Sequence, residues 1–307
     1  MRRRSNGGLA VVTGAFGFSG RYITRALIED GWKVRTLTSH PDRPNEFGNG
    51  VEVYPLNFGN PLQLTESLRG ADVLYNTYWI RFARGHTTFE KAVENSRKLI
   101  KAAKDAGVRR IVHVSITNPS DDSPLPYFRG KALVERTITE SGLSYAILRP
   151  AVIFGNEGIL INNIAWFLRH LPAFIVPGSG RYKLQPVFVE DLAALAVESG
   201  AKTENAIVNA TGPEAFEFGE LVRLIREVVH SRTLIAHLPP SLALMACRML
   251  GIAVRDVVLT PDEITGLMEN LLLPDEPSTC PTRLRDWLRA NTDTIGRNYL
   301  SELRCHY

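Results

Sequence analysis

Tyr127 and Lys131 stand four residues apart at the start of a predicted helix, so both side chains lie on one helical face. A tyrosine phenol has an ordinary pKa of about 10 and is a poor acid–base group at neutral pH. A neighbouring ammonium stabilises the phenolate and lowers that pKa. The pair is therefore suited to exchange a proton with a substrate oxygen while a hydride is transferred. A surface lysine beside a half-buried tyrosine is the alternative interpretation.

A glycine-rich turn follows the first predicted strand, residues 9–13, and opens a helix predicted over residues 21–30. Glycine at every third position allows a sharp turn, a close approach of the backbone to a pyrophosphate, and close packing of the helix on the strand. The N–H groups at the start of the helix attract the phosphates of a dinucleotide. The predicted cofactor contacts in this turn are Gly14, Phe16, Gly17, Phe18 and Gly20.

The end of the second predicted strand, residues 33–38, bears on the choice between NAD and NADP. A carboxylate at this position would bind the ribose 2′-hydroxyl of NAD. The chain instead has Thr38, Ser39 and His40, with Arg43 close behind. Because His40 or Arg43 could pair with a 2′-phosphate, the sequence favours NADP and leaves NAD open. The alternative is that Arg43 is an exposed loop residue without a ligand.

The composition excludes several classes of protein. The 307 residues carry a net charge of +4, and the basic residues are dispersed apart from three arginines at residues 2–4. This distribution does not favour nucleic-acid binding, and residues 2–4 are expected to be solvated. Cys247, Cys280 and Cys305 are odd in number and far apart, which predicts neither a metal site nor a disulfide framework. We therefore expect a reducing compartment, the cytoplasm.

Strand and helix signals alternate over the first 150 residues, and helices between strands imply a parallel sheet. The predicted fold is α/β, a doubly wound parallel sheet (Rossmann fold) with a smaller, mostly helical C-terminal lobe. The predicted cofactor domain is 5–154, with 184–210 returning to it, and the substrate lobe is 155–183 and 211–307. Further predicted strands are residues 51–56, 73–77, 110–115, 145–148 and 207–210. Further predicted helices are residues 61–69, 89–106, 128–141, 159–170, 187–197 and 221–230. The prolines and glycines of 172–180 predict a loop.

The most apolar stretch, residues 238–254, contains Pro239, Pro240 and Arg248. It is too short and too interrupted to span a bilayer. A helix that is buried or faces a partner is the first interpretation, and a helix on a membrane surface is the second.

Several short motifs occur in an order that resembles the short-chain dehydrogenase/reductase superfamily. The likeness is to its extended and atypical branches, a group that includes nucleotide-sugar epimerases and a nucleotide-binding accessory subunit of mitochondrial complex I. The motifs lie within about the first 195 residues. They are Thr13-Gly14 with the two later glycines, Gly70-Ala71-Asp72-Val73, Asn95, the segment 107–115, Arg149-Pro150 followed by Phe154-Gly155, and Val189-Glu190-Asp191-Leu192.

The resemblance implies a role for individual residues. Tyr127 would be the acid–base group, and Lys131 would bind the nicotinamide ribose and lower the tyrosine pKa. Thr117 would hydrogen-bond the substrate oxygen, with Ser115 as the second choice. Asn57 would accept a hydrogen bond from the adenine amino group. Two further predicted cofactor contacts follow the fourth and sixth strands: Thr77 and Pro150.

Two functions remain open on the sequence alone. The first is an NAD(P)-dependent oxidoreductase of a small carbonyl or alcohol, or an epimerase-like enzyme of a sugar-like substrate. The second is a sensor or assembly subunit that binds the cofactor without chemistry, since fold does not separate the two. The segment 115–119 departs from the pattern of extended members, which speaks against a nucleotide-sugar substrate. The predicted partners are the cofactor and a small molecule, and a homodimer is left open.

Other residues with chemical potential have simpler interpretations. His113, within a predicted strand, is expected to be a core histidine with a satisfied hydrogen bond. Aromatic residues near the end of the fourth strand would either line the ligand pocket or pack in the core, and the sequence favours neither interpretation over the other. The residues are Tyr75, Tyr78, Trp79 and Phe82.

Overall fold

The computed structural model describes residues 7–43 and 45–306, so the arginines at residues 2–4 lie outside the described part. The strands are β1 Leu9–Thr13, β2 Lys33–Thr38, β3 Val51–Pro55, β4 Val73–Asn76, β5 Arg110–Val114, β6 Ser144–Pro150, β7 Ile153–Phe154, β8 Ala173–Pro177, β9 Lys183–Leu184, β10 Val187–Phe188, β11 Ala206–Ala210, β12 Phe216–Glu217 and β13 Leu234–Leu238. The α-helices are α1 Phe18–Glu29, α2 Pro61–Leu68, α3 Phe89–Asp105, α4 Pro126–Glu140, α5 Ile159–His170, α6 Val189–Ala201, α7 Phe218–Val228, α8 Pro240–Val254, α9 Pro261–Met268, α10 Leu284–Ala290 and α11 Glu302–His306.

Seven strands form the main sheet in the order β11-β6-β5-β4-β1-β2-β3. The pairs β1–β2, β2–β3, β1–β4, β4–β5 and β5–β6 are all parallel. The strand order reverses at β1, which lies between β2 and β4. In sheets of this kind, ligands bind beyond the carboxyl ends of the strands at such a switch point. The predicted doubly wound α/β fold is confirmed.

The inner strands are buried on both faces, as parallel strands covered by helices must be. All five residues of β5 are buried, and so are four of the five in β1. One core cluster joins these strands to the helices through side chains such as Leu37, Leu74, Leu99, Ile111 and Ile147. The apolar runs of the sequence were sufficient to locate these strands.

The chain divides into two compact units. The first comprises the chain up to Arg149 together with Glu190–Asn209, and the second comprises Pro150–Val189 and the chain from Ala210 onward. The second unit has its own apolar core, which includes Phe154, Ile161 and Leu221. In the first unit, α1 begins three residues earlier than its glycine pattern predicted, because Gly17 already serves as the N-cap.

The prediction of a loop is wrong for residues 173–177. They form β8, which pairs in parallel with β13 from Leu234 to Leu238. The partner strand lies about sixty residues away in sequence, so local prolines and glycines could not reveal the pairing. No helix in the described part of the chain is both long and apolar enough to cross a bilayer.

Candidate functional site

The glycine turn leaves the carboxyl end of β1 and is closed by main-chain hydrogen bonds. Gly14 adopts a φ of 68°, in the left-handed region that favours glycine, and its N–H donates to the Leu37 carbonyl at 2.9 Å. The Gly17 N–H then donates to the Gly14 carbonyl, also at 2.9 Å. The turn is therefore fixed against β2 as well as β1.

Gly20 cannot carry a side chain. A Cβ at this position would overlap the carbonyl oxygen of Gly14 and lie 2.8 Å from its carbonyl carbon, so α1 packs directly on the turn. A Cβ at Gly17 would lie 3.3 Å from the same oxygen. No described side chain caps α1 at Gly17, so the N–H groups of its first turn are left to a ligand. These features fit the pyrophosphate of a dinucleotide.

The two phenylalanines of the turn are placed differently. The Phe16 side chain is buried, so only its main-chain groups can face a ligand. The Phe18 ring is half-buried and contacts the Tyr22 ring edge-on, with 5.9 Å between the centroids.

The loop after β2 surrounds an open surface depression of about 390 Å³ that is lined by residues 39–43. Thr38 itself is buried, and its hydroxyl accepts a hydrogen bond from the His40 N–H at 3.0 Å. His40 and Arg43 line the depression, but so does Asp42. The Asp42 carboxylate would repel a 2′-phosphate placed close to it, an effect that the prediction of NADP did not take into account.

Asn57 lies exposed after β3, and its amide is already engaged. Its Nδ2 donates to Gln63 Oε1 at 2.9 Å, and its Oδ1 accepts from the Gly59 N–H at 3.0 Å. An amide oxygen has a second lone pair, so one acceptor position remains for an adenine amino group. Pro150 is buried at the end of β6.

Thr77 adjoins the glycine turn through a network that the sequence analysis missed. A Cβ at Gly14 would lie 3.7 Å from Thr77 Oγ1, which donates to the Thr13 carbonyl at 2.5 Å. The Thr13 hydroxyl accepts from the Thr77 N–H at 2.8 Å and donates to Asn76 Oδ1 at 3.2 Å. The start of the loop after β4 is therefore tied to the turn after β1.

Asn76 extends this network to β5. Its Nδ2 lies 3.1 Å from Nδ1 of His113, a fully buried histidine. Burial, and then the positive charge of Lys131, lower the pKa of His113 well below its ordinary value, so the imidazole is neutral. The sequence signal for Asn76 was a polar residue directly after the mostly apolar residues 73–75.

Tyr127 and Lys131 lie on the first turns of α4, which packs closely on Trp79. A Cβ at Gly130 would lie only 2.8 Å from the Trp79 ring, so this glycine permits the approach. The half-buried Tyr127 ring contacts the rings of Trp79 and Phe89 edge-on, with 6.0 Å between centroids in each case. The aromatic cluster therefore holds the tyrosine beyond the end of β4.

Lys131 is 3% exposed. Its Nζ donates to the Val114 carbonyl at 2.8 Å and lies 4.8 Å from the centroid of the Trp79 ring. Burial lowers the pKa of Lys131 to about 7, an effect that the negative charge of Glu135 opposes. Val114 is the last residue of β5, so the amine lies at the carboxyl edge of the sheet.

Ser115 and Thr117 are both buried beyond β5. The Ser115 hydroxyl donates to Glu135 Oε1 at 2.5 Å, and Arg149 binds the same carboxylate through Nε at 3.0 Å and Nη2 at 2.5 Å. Glu135 follows Lys131 by four residues, on the same helical face, and that spacing was the signal that sequence reasoning missed.

Among the aromatic residues near β4, Tyr75 follows the core interpretation. Tyr75 is 1% exposed, and burial strongly raises the pKa of its phenol, so it belongs to the core. Trp79 packs against Tyr127 and Lys131. No group of three or more histidine, cysteine, aspartate or glutamate residues within the described ranges could hold a metal ion.

The family described as NAD(P)H-binding matches residues 14–161 of this chain. The match begins at the first glycine of the turn and includes Tyr127 and Lys131. Residues 14–161 thus resemble an NAD(P)H-binding family. This likeness agrees with the cofactor that the glycine turn predicted, a nicotinamide dinucleotide.

Two curated relatives have different descriptions. The chain is 28% identical over 240 residues to NADH dehydrogenase (ubiquinone) 1 alpha subcomplex subunit 9, mitochondrial, of Arabidopsis thaliana, which covers 74% of this chain and 60% of that protein. It is 33% identical over 150 residues to a ceramide reductase of Caulobacter vibrioides, which covers 48% and 47%. The chain thus spans less than two thirds of either relative. The predicted resemblance to the accessory subunit is confirmed.

Among solved structures, the NADPH complex of the quinone oxidoreductase QOR2 from Escherichia coli superimposes with a TM-score of 0.71. The two sequences are 22% identical, and the match covers 92% of this chain and 98% of that one. At this identity the likeness shows the shared fold.

Proposed function

We propose that this chain is an NADPH-dependent oxidoreductase of the short-chain dehydrogenase/reductase type that reduces a small carbonyl compound or oxidises the corresponding alcohol. Tyr127 is the acid–base group in this proposal. The observation that carries it is the position of the Tyr127–Lys131 pair. Lys131 Nζ is bound to the last residue of β5, and Tyr127 lies one turn earlier on α4, at the sheet edge that also carries the glycine turn.

The chemistry assigned to the chain is a proton transfer. A bound reduced nicotinamide supplies the hydride that the carbonyl carbon accepts. The Tyr127 phenol donates its proton to the carbonyl oxygen, which yields the alcohol, and the phenolate regains a proton from solvent. Protonated Lys131 stabilises the phenolate, whereas the neutral amine does not. An epimerase-like reaction would use the same tyrosine on a sugar-like substrate.

Thr117 is the first candidate for the hydrogen bond to the substrate oxygen, as the family resemblance implies, and Ser115 is the second. A carbonyl oxygen requires a donor, and the Ser115 hydroxyl already donates to Glu135. Ser115 therefore contributes in this proposal by fixing Glu135 on α4.

The test is cofactor oxidation with a panel of aldehydes, ketones and quinones, for the native chain, Tyr127→Phe and the control Tyr54→Phe. Tyr54 lies on β3, and its partly exposed ring contacts Arg35. Loss of a general acid reduces turnover by about 10²–10⁴-fold, so Tyr127→Phe should be slower by that factor and Tyr54→Phe unchanged. Equal rates for Tyr127→Phe and the native chain would refute the role of the phenol.

The preference for NADPH rests on His40 and Arg43 beside the depression after β2. Titration with NADPH and NADH in parallel tests this preference. Arg43→Ala should weaken NADPH binding about tenfold, the effect of one charge-assisted hydrogen bond, and leave NADH binding unchanged. Arg97→Ala, an exposed position on α3, is the control. A tenfold preference of the native chain for NADH would contradict the proposal.

A second candidate function is that of a subunit that binds the cofactor without turnover. Two observations favour it. First, the Lys131 amine already contacts the Val114 carbonyl and the Trp79 ring. Second, the Arabidopsis relative, which matches 74% of this chain, is described as a subunit of NADH dehydrogenase. Tight NADPH binding with no oxidation by any member of the panel would select this function. The proposed location is the cytoplasm, and fractionation of the host cells tests it.

A further inference from the structure

The helix α8 exposes a continuous apolar stripe. Leu242, Met245, Met249 and Ile252 follow one another at intervals of three, four and three residues, so they share one face. They are 44%, 56%, 68% and 81% exposed, respectively. Only Ala243 and Gly251 of this helix are buried. A helix that is apolar on all sides normally has both faces covered.

The charged residues within the segment 231–255 are all positive. Residues 231–255 contain no aspartate or glutamate, whereas the whole chain has a net charge of only +4. Arg232, Arg248 and Arg255 are exposed. Arg248 directly precedes Met249 within α8, and Arg255 follows the last residue of the helix as its left-handed C-cap. Exposed Leu234 adds a further apolar side chain to this segment.

The area of the apolar stripe bears on whether a folded protein or a lipid surface could cover it. The fifteen residues of α8 give a helix about 22 Å long and about 10 Å wide, so the outer half of its surface is roughly 350 Å². A stable interface with a folded partner or a second copy buries about 800 Å² on each side. A lipid surface requires only one apolar helical face with cations beside it, because the acyl chains accept the apolar groups and the phosphates bind the cations.

We propose that α8 is a peripheral docking helix for an anionic bilayer surface. Leu242, Met245, Met249 and Ile252 enter the boundary between headgroups and acyl chains, and the arginines lie at the lipid phosphates. The helix lies in the plane of the surface. This proposal is independent of catalysis and holds for either candidate function above.

The test is flotation of the purified full chain with two vesicle preparations: pure phosphatidylcholine, and phosphatidylcholine with about 30 mol% phosphatidylglycerol. The double variant Met249→Gln/Ile252→Gln removes two of the most exposed apolar side chains and should reduce binding to anionic vesicles by at least about tenfold. Arg248→Gln should reduce it by about fivefold, the contribution of one basic residue near such a surface. Leu62→Gln on α2, at an 84% exposed position, is the matched control and should bind as the native chain does.

Binding of the native chain to anionic vesicles, weaker binding to phosphatidylcholine alone, and loss of binding in the double variant support the proposal. It is overturned if the native chain does not float with anionic vesicles, or if the double variant floats equally well. The mass of each protein in solution is measured by light scattering. A native dimer that the double variant converts to a monomer would assign the stripe to a second copy and would also overturn the proposal.

Discussion

Burial of Lys131 should make the stability of this protein depend on pH in a particular direction. Its pKa is about 7 in the folded chain, against an ordinary value of 10.5. Between these pH values the unfolded chain binds the proton and the folded chain does not. The free energy of unfolding therefore rises with pH from about 7 to about 10, and the full penalty of the buried charge is present below pH 7.

The magnitude follows from the same two pKa values. Each pH unit between them corresponds to about 1.4 kcal/mol, so the whole window is worth on the order of 5 kcal/mol. Between pH 7 and pH 9 the expected gain is about 2 kcal/mol. Because Lys131 is almost fully buried, solvent screening does not reduce this value. The Nζ of Lys131 donates to the Val114 carbonyl, and an amine keeps N–H donors whether it is charged or neutral.

The assay is urea unfolding at pH 7 and pH 9 for the native chain, Lys131→Met and the control Lys101→Met. Lys101 is exposed on α3 and forms an ion pair with Asp105. The native chain and Lys101→Met should gain about 2 kcal/mol more between the two pH values than Lys131→Met does. The same pH dependence in all three proteins would refute the reasoning, and it would show that the ammonium stays charged beside Glu135.

Two further predictions concern the turn and the buried carboxylate. Gly20→Ala should abolish NADPH binding in a fluorescence titration, because its Cβ would overlap the Gly14 carbonyl. Gly50→Ala is the control and should bind NADPH normally, because the space around Gly50 is open. Normal binding by both variants would contradict the packing argument. Glu135→Gln should lower stability in urea by about 2–4 kcal/mol, because it removes the negative charge that pairs with partly buried Arg149. An unchanged unfolding midpoint would show that the ion pair contributes nothing.

The sequence by itself determined the sheet, the position of the cofactor turn and the existence of the Tyr127–Lys131 pair. The reason is that these features are local. Apolar runs define buried strands, glycine spacing defines the turn, and a four-residue spacing places two side chains on one helical face. The boundaries of α5, residues 159–170, were predicted to the residue for the same reason.

The tertiary structure decided which partners these residues have. Lys131 bonds to Val114, seventeen residues away, and Asn76 meets His113, thirty-seven residues away. Parallel neighbours are joined by crossovers, so strand ends meet only once the sheet is assembled. The same holds for β8 and β13, whose pairing overrides the local loop signals. Burial, which sets the pKa of Lys131, is likewise a property of the packed molecule and not of the local sequence.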